Sequence, residues 1–170
     1  MIKGLSMFSN VGIAETYLKE IGIDIIIANE LDSNRANLYK ELYGKTKMIQ
    51  GDIRDKIDEI IEISLKNKVQ FLIATPPCQG FSIAGRRDYT DDRNDLIHYV
   101  LKAIDKINPE YVVIENVQNF LKHSITYGKY KGSIISVIKR KFSNKYNIEH
   151  GILNAKDYGV PQVRKRAFIK

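Results

Sequence analysis

Phe71-Leu72-Ile73-Ala74-Thr75-Pro76-Pro77-Cys78-Gln79-Gly80-Phe81-Ser82-Ile83-Ala84-Gly85-Arg86-Arg87 sets an apolar run against a proline pair and then a loop rich in Gly and Arg. A short apolar run bounded by a turn signal reads as a fully buried strand. Neither proline can donate a ladder hydrogen bond, so the strand ends before Pro76. Cys78, the chain's single cysteine, therefore sits just past a strand end. Residue type alone makes a lone cysteine a small core hydrophobe. A loop flanked by glycines and arginines is instead the setting of a reactive thiol.

Working outward, other apolar segments alternate with amphipathic ones. Strands are expected at Gly4–Phe8, Asp24–Asn29, Thr46–Ile49, Gln70–Thr75, Tyr111–Glu115, Tyr146–Leu153 and Arg166–Lys170. Between them, apolar residues at three- and four-residue spacing predict helices at Ala14–Glu20, Ser33–Tyr43, Ile57–Lys66, Asn94–Ile107 and Tyr130–Phe142. This is an α/β pattern, and several strands are apolar throughout, as parallel strands covered on both faces must be. The chain has 170 residues, 44% of them hydrophobic, which is enough for one domain with a sizeable core. A single cysteine excludes an internal disulfide. No apolar run approaches the ~18 residues needed to span a membrane, and the N-terminus lacks a signal-peptide core, so a cytoplasmic protein is expected. A net charge of +7, from 27 basic and 20 acidic residues, points to a polyanionic partner. His98, His123 and His150 are scattered without metal-ligand spacing, and no metal is expected.

A doubly wound fold binds ligands at the carboxyl ends of its strands. The first strand ends in Phe8-Ser9-Asn10-Val11-Gly12, whose Asn10 and Gly12 tolerate positive φ; a turn that admits a ligand and a plain β-α turn both suit it. At the second strand's end, Asp32 reads as the N-cap of the next helix, which leaves Glu30 to accept from ribose hydroxyls. Gly51-Asp52-Ile53 offers a carboxylate for an adenine amino group and an apolar side chain for its ring. Together the three ends outline a site for an adenosine-bearing cofactor. A pyrophosphate needs G-x-G-x-x-G, and the corresponding positions are Asn10, Gly12 and Glu15, whose carboxylate would repel a phosphate. S-adenosylmethionine, cationic and without phosphate, is the better ligand. Glu115 follows four apolar residues, where desolvation raises a carboxyl pKa and keeps a proton available; a surface acid at a strand end is the alternative. In a doubly wound sheet the fourth and fifth strands lie side by side, so Cys78 and Glu115 are expected to face one another across the crevice.

Phe8-x-Asn10-x-Gly12, Glu30, Gly51-Asp52, Pro76-Pro77-Cys78-Gln79-Gly80-Phe81-Ser82, Glu115-Asn116-Val117 and Gln162-x-Arg164-x-Arg166 resemble, in order and spacing, the C5-cytosine DNA methyltransferases. The resemblance covers nearly the whole chain. It implies a doubly wound, Rossmann-like methyltransferase fold with about seven mostly parallel strands and an antiparallel element near the C-terminus. It implies S-adenosylmethionine as cofactor, bound by Phe8, Asn10, Gly12, Glu30, Asp52, Ile53, Pro77 and Leu96. Cys78 is implied to attack C6 of a flipped-out cytosine, Glu115 to bind and protonate N3, and Arg164 to hold the base. Pro77, Gln79, Ser82, Arg86, Arg87, Asn116 and Arg166 are the further residues implied to meet DNA, the loop after Cys78 resembling a mobile catalytic loop.

Two departures stand out. Asn10 replaces a glycine, and because Asn tolerates the left-handed region, a modified pocket is expected. The family's target-recognition region and final segment would follow Lys170. Residues 1–170 are thus expected to be the catalytic part alone, as a fragment, a remnant, or one subunit beside a second polypeptide that carries recognition. Two other functions fit the same residues: an RNA cytosine methyltransferase acting on tRNA, and an idle subunit that binds nucleic acid by charge.

Overall fold

The computed structural model describes residues 1–77 and 96–170. The strands are β1 (Ile2–Met7), β2 (Ile23–Glu30), β3 (Lys47–Gln50), β4 (Phe71–Ala74), β5 (Tyr111–Val117), β6 (Ser124–Tyr127), β7 (Tyr130–Ser133), β8 (His150–Asn154) and β9 (Lys165–Ile169). The helices are α1 (Ser33–Leu42), α2 (Ile53–Asn67), α3 (Leu96–Ile107) and α4 (Ile134–Phe142). Seven strands form one sheet in the order β3-β2-β1-β4-β5-β9-β8, and β6 and β7 form a separate hairpin. β1 runs parallel to β2 and β4, and β2 to β3, whereas β9 is antiparallel to β5 and β8. The expected mixed α/β class, with its antiparallel element near the C-terminus, is the one observed.

Contacts divide the described residues into two units, 1–76 with 96–112, and 77 with 113–170. In the first unit β4 is buried at every position and stops at Ala74, as the prolines after it dictate. Helix α2 buries Ile53, Ile57, Ile60, Ile61 and Ser64 on one stripe, the 3.6-residue period of an amphipathic helix. The apolar stripe of α3 includes Val100, Leu101 and Ile104, and Lys102 Nζ meets Asp58 at 2.7 Å to tie α3 to α2. The helix expected at Ala14–Glu20 is instead two 3₁₀ turns, Ile13–Glu15 and Leu18–Ile21. Ile13, Tyr17 and Ile21 are 76%, 71% and 71% exposed, so no buried face rewards a continuous α-helix. Helix α2 also starts four residues earlier than its periodicity suggests, because Asp52 caps it.

In the second unit the helix expected at Tyr130–Phe142 begins only at Ile134, capped by the Ser133 hydroxyl. Tyr130–Ser133 belongs to the hairpin, with Tyr127 paired to Tyr130 across Gly128-Lys129 and Gly128 at φ +57°. A two-residue loop with a leading positive φ is a tight hairpin turn, and it outweighs the weak helical period there. Helix α4 buries Ile134, Val137, Ile138 and Phe142. Strand β8 begins at His150, not Tyr146.

Candidate active site

In the first unit the carboxyl ends of β1, β2 and β3 carry a continuous set of polar contacts. Phe8 takes φ +60°, rare for a bulky residue, and its carbonyl accepts from Thr75 Oγ1 at 2.9 Å. Asn10 does adopt the left-handed region, at φ +52°, and its Oδ1 accepts from the Val11 N–H at 2.9 Å. Gly12 has φ +82°, and a Cβ there would lie 2.3 Å from Cε2 of Tyr43, whose hydroxyl donates to the Gly12 carbonyl at 2.8 Å. The glycine is therefore required by the packing of the turn itself. Glu30 is 6% exposed; its Oε2 accepts from the Asn10 N–H at 2.8 Å and its Oε1 from the Asp32 N–H at 3.0 Å. Each oxygen keeps a lone pair, which is what two ribose hydroxyls require.

Asp32 caps α1, accepting from the Arg35 N–H at 2.9 Å, as its sequence context indicates. Asp52 caps α2 through the Arg54 N–H and also pairs with the Arg54 guanidinium at 2.7 Å. Hydrogen bonds from the Arg54 side chain hold the Asp52 carboxyl below its ordinary range. Ile53 and Leu96 are buried at the starts of α2 and α3. Glu15 is buried behind the turn, where Tyr39 donates to its Oε2. Burial pushes the Glu15 carboxyl up; Ser6 is close enough to oppose that rise but leaves Oε1 without a hydrogen bond. Tyr39 is also pushed up, by burial and by the Glu15 charge.

In the second unit the site is built on β5 and β9. Val117 lies opposite Arg166 and Glu115 opposite Phe168, so Glu115 and Arg166 are diagonal neighbours on one face. Arg166 Nε meets Glu115 Oε1 at 3.0 Å. Burial pushes the Glu115 carboxyl up, against the charges of Arg166 and then Arg164. The exposed Arg164 lies just before β9, and its backbone N–H donates to Asn154 Oδ1 at 3.0 Å. Asn116 is 3% exposed and its Oδ1 accepts from the Val117 N–H at 2.8 Å. Pro77 is half-buried. Cys78, Gln79, Ser82, Arg86 and Arg87 lie outside the described residues.

Sequence reasoning passed over Thr75, Tyr39, Tyr43, Arg54 and Asn29. Only Asn29 carried a signal, as an amide directly after the apolar run Ile25–Ala28 of β2. Among the described residues no group of three His, Cys, Asp or Glu is placed to hold a metal, and no helix is long and apolar enough to cross a membrane.

A mostly parallel sheet with acids at its strand ends and an antiparallel return at the C-terminus is the architecture of the doubly wound α/β class, which binds ligands at those ends. Residues 2–170 match the C-5 cytosine-specific DNA methylases, and the chain belongs to that family. It is 47% identical over 176 residues to the type II methyltransferase M1.HgaI of Avibacterium volantium, covering 99% of this chain and 49% of that protein. It is 32% identical over 180 residues to M.AquIA of Picosynechococcus sp., covering 98% of this chain and 70% of that protein. The crystal structure of the S. pombe Dnmt2 methyltransferase superposes with a TM-score of 0.73 at 25% identity, over 99% of this chain and 50% of that one. The chain thus spans about half the length of two of these relatives. Family membership implies S-adenosylmethionine as the cofactor.

Proposed function

We propose that this chain carries the catalytic machinery for methylating C5 of cytosine in DNA. The observation that supports this best is the half-buried Glu115 paired with Arg166 at 3.0 Å: a carboxyl whose pKa burial raises, beside a cation that limits the rise. C5 of cytosine is a poor nucleophile. Addition of the Cys78 thiolate to C6 makes C5 enamine-like, and Glu115, bound at N3, supplies the proton that neutralises charge pushed onto the ring; once C5 is methylated, loss of its proton to a base and expulsion of the thiolate from C6 restore the ring and the enzyme. Arg164 and Arg166 add positive charge, Arg166 holding the carboxyl and Arg164 the base. When bound, S-adenosylmethionine supplies an electrophilic methyl group on its sulfonium sulfur. Glu30 takes the ribose, and Asp52 the adenine amino group beside Ile53. Phe8, Asn10, Gly12, Pro77 and Leu96 complete that pocket. Gln79, Ser82, Arg86, Arg87 and Asn116 contact the DNA, from which the target base must be extruded.

The test is Cys78→Ser in the full-length protein, with labelled methyl transfer to duplex DNA and to tRNA measured beside binding of S-adenosylhomocysteine. The reading expects transfer to DNA to vanish while binding of the demethylated cofactor persists. Transfer at near wild-type rate refutes the nucleophile, and a wild-type preference for tRNA moves the substrate to RNA.

A further inference from the structure

Asn29 is the penultimate residue of β2 and only 1% exposed. A buried amide in a strand is disfavoured unless its hydrogen bonds are met. Its Nδ2 donates to the Ile49 carbonyl at 2.9 Å and to the Gly51 carbonyl at 3.1 Å. Both partners only accept, so the amide orientation is fixed: the opposite flip would set oxygen against oxygen. Its backbone carbonyl accepts from the Ser9 N–H at 2.9 Å and from Ser9 Oγ at 3.2 Å. Asn29 therefore joins the ends of three strands.

The ties to Ser9 and Gly51 each fall one residue from a position in the cofactor reading. Ser9 precedes Asn10, whose N–H aims Oε2 of Glu30; Gly51 precedes Asp52, and its N–H donates to the Glu30 carbonyl at 2.9 Å. Glu30 follows Asn29 directly, so this one residue joins the turn through its backbone carbonyl, and its side chain sets the spacing between the ribose acceptor and the adenine acceptor. We infer that Asn29 is a positioning residue for the cofactor, making no contact with it while fixing Glu30 and Asp52 at the separation that an adenosine requires. This rests on the pocket assignment given above. Preorganisation of this kind appears in affinity because its ordering cost is met before the ligand arrives.

The experiment is a double-mutant cycle in the full chain, with S-adenosylhomocysteine affinity measured by calorimetry and melting temperature recorded for every variant. Asn29→Leu, near-isosteric and without a donor, is combined with Glu30→Ala. Asn29→Leu is expected to weaken binding roughly tenfold, and Glu30→Ala is expected to cost less in that background than in wild type by more than about twofold, the lower edge for groups in one network. A residue that only stabilises the fold gives additive losses in affinity, and additivity overturns the inference. If Asn29→Leu does not fold, Asn29→Ser, which keeps one donor, carries the same cycle; if neither folds, Asn29 holds the fold and not the site, and the inference fails. A wild-type chain indifferent to S-adenosylhomocysteine, or to Glu30→Ala, overturns the pocket assignment instead, and the inference with it.

Discussion

Glu115 has a carboxyl raised by burial and restrained by two arginines, and this balance predicts how the reaction responds to pH. A general acid works while protonated, so the alkaline limb of kcat/KM on duplex DNA should follow Glu115. Arg166→Ala removes the strongest restraint, so the limb should move to higher pH. An unmoved or lowered limb would assign it to another group. Glu115→Gln should slow methylation on the order of 100-fold, the usual worth of a general acid, while S-adenosylhomocysteine binding by calorimetry stays the same. Gly12 permits a sharper statement about stability. Gly12→Ala forces an L side chain into the left-handed region, at about 1–2 kcal/mol, and drives a methyl into the Tyr43 ring, at about 1–3 more. Urea unfolding should show both losses; a neutral result would mean that the turn can move away from Tyr43. Residue types and order were enough to single out Glu115, Glu30 and Asn10. The choice between Arg164 and Arg166 was not legible, because it depends on strand register: the residue opposite Val117 is the one that reaches Glu115.

The elements meet the site through their caps and turns. Asp52 begins α2 and is also the acceptor proposed for the adenine amino group, so its two roles need separate variants. Asp52→Asn keeps an N-cap acceptor and should leave thermal stability within a few tenths of a kcal/mol while weakening the cofactor; Asp52→Ala should also cost about 1 kcal/mol from the lost cap. Equal stabilities would show that the cap contributes little. Glu15 links the first 3₁₀ turn to Tyr39 of α1. Its native pKa is raised, so the folded chain holds the proton more tightly than the unfolded one. Stability should thus be fullest below the ordinary value of 4.5 and fall as pH rises from there through the raised value. Glu15→Gln should remove that decline, which melting curves across the interval would reveal; a persistent slope would place its origin elsewhere. The sequence showed the strand ends and most helices through apolar period. The broken Ala14–Glu20 segment and the β6–β7 hairpin escaped it, since one depended on a face left unburied and the other on a two-residue turn.

For the whole molecule, charge is the feature that composition already disclosed. A +7 chain should attract duplex DNA without sequence preference, with dissociation constants of roughly 10⁻⁴ to 10⁻⁶ M at physiological salt and a steep fall as salt rises. Competition between one short duplex and its scrambled version checks this: tenfold discrimination by these 170 residues would mean that base readout lies within them. The sheet order was legible only as a class. The alternation of apolar runs with amphipathic helices specifies a parallel α/β sheet, and the doubly wound class foretells that the fourth and fifth strands are neighbours, as β4 and β5 are; the rest of the order is set by crossover connections that no local pattern encodes.

The first unit is discontinuous along the chain, and that has a consequence for synthesis. β1 to β4 and helix α2 are complete once Pro76 is made, yet α3, which covers α2 and ties to it through Lys102 and Asp58, is not finished until Ile107. At about 5–20 residues per second, the interval to Val112 lasts roughly 2 to 7 s. For those seconds helix α2 lacks the helix that covers it, a window in which chaperones compete with self-association. Pulse proteolysis of ribosome-stalled chains should find residues 1–76 labile at the Pro76 arrest and protected once Val112 is free of the ribosome.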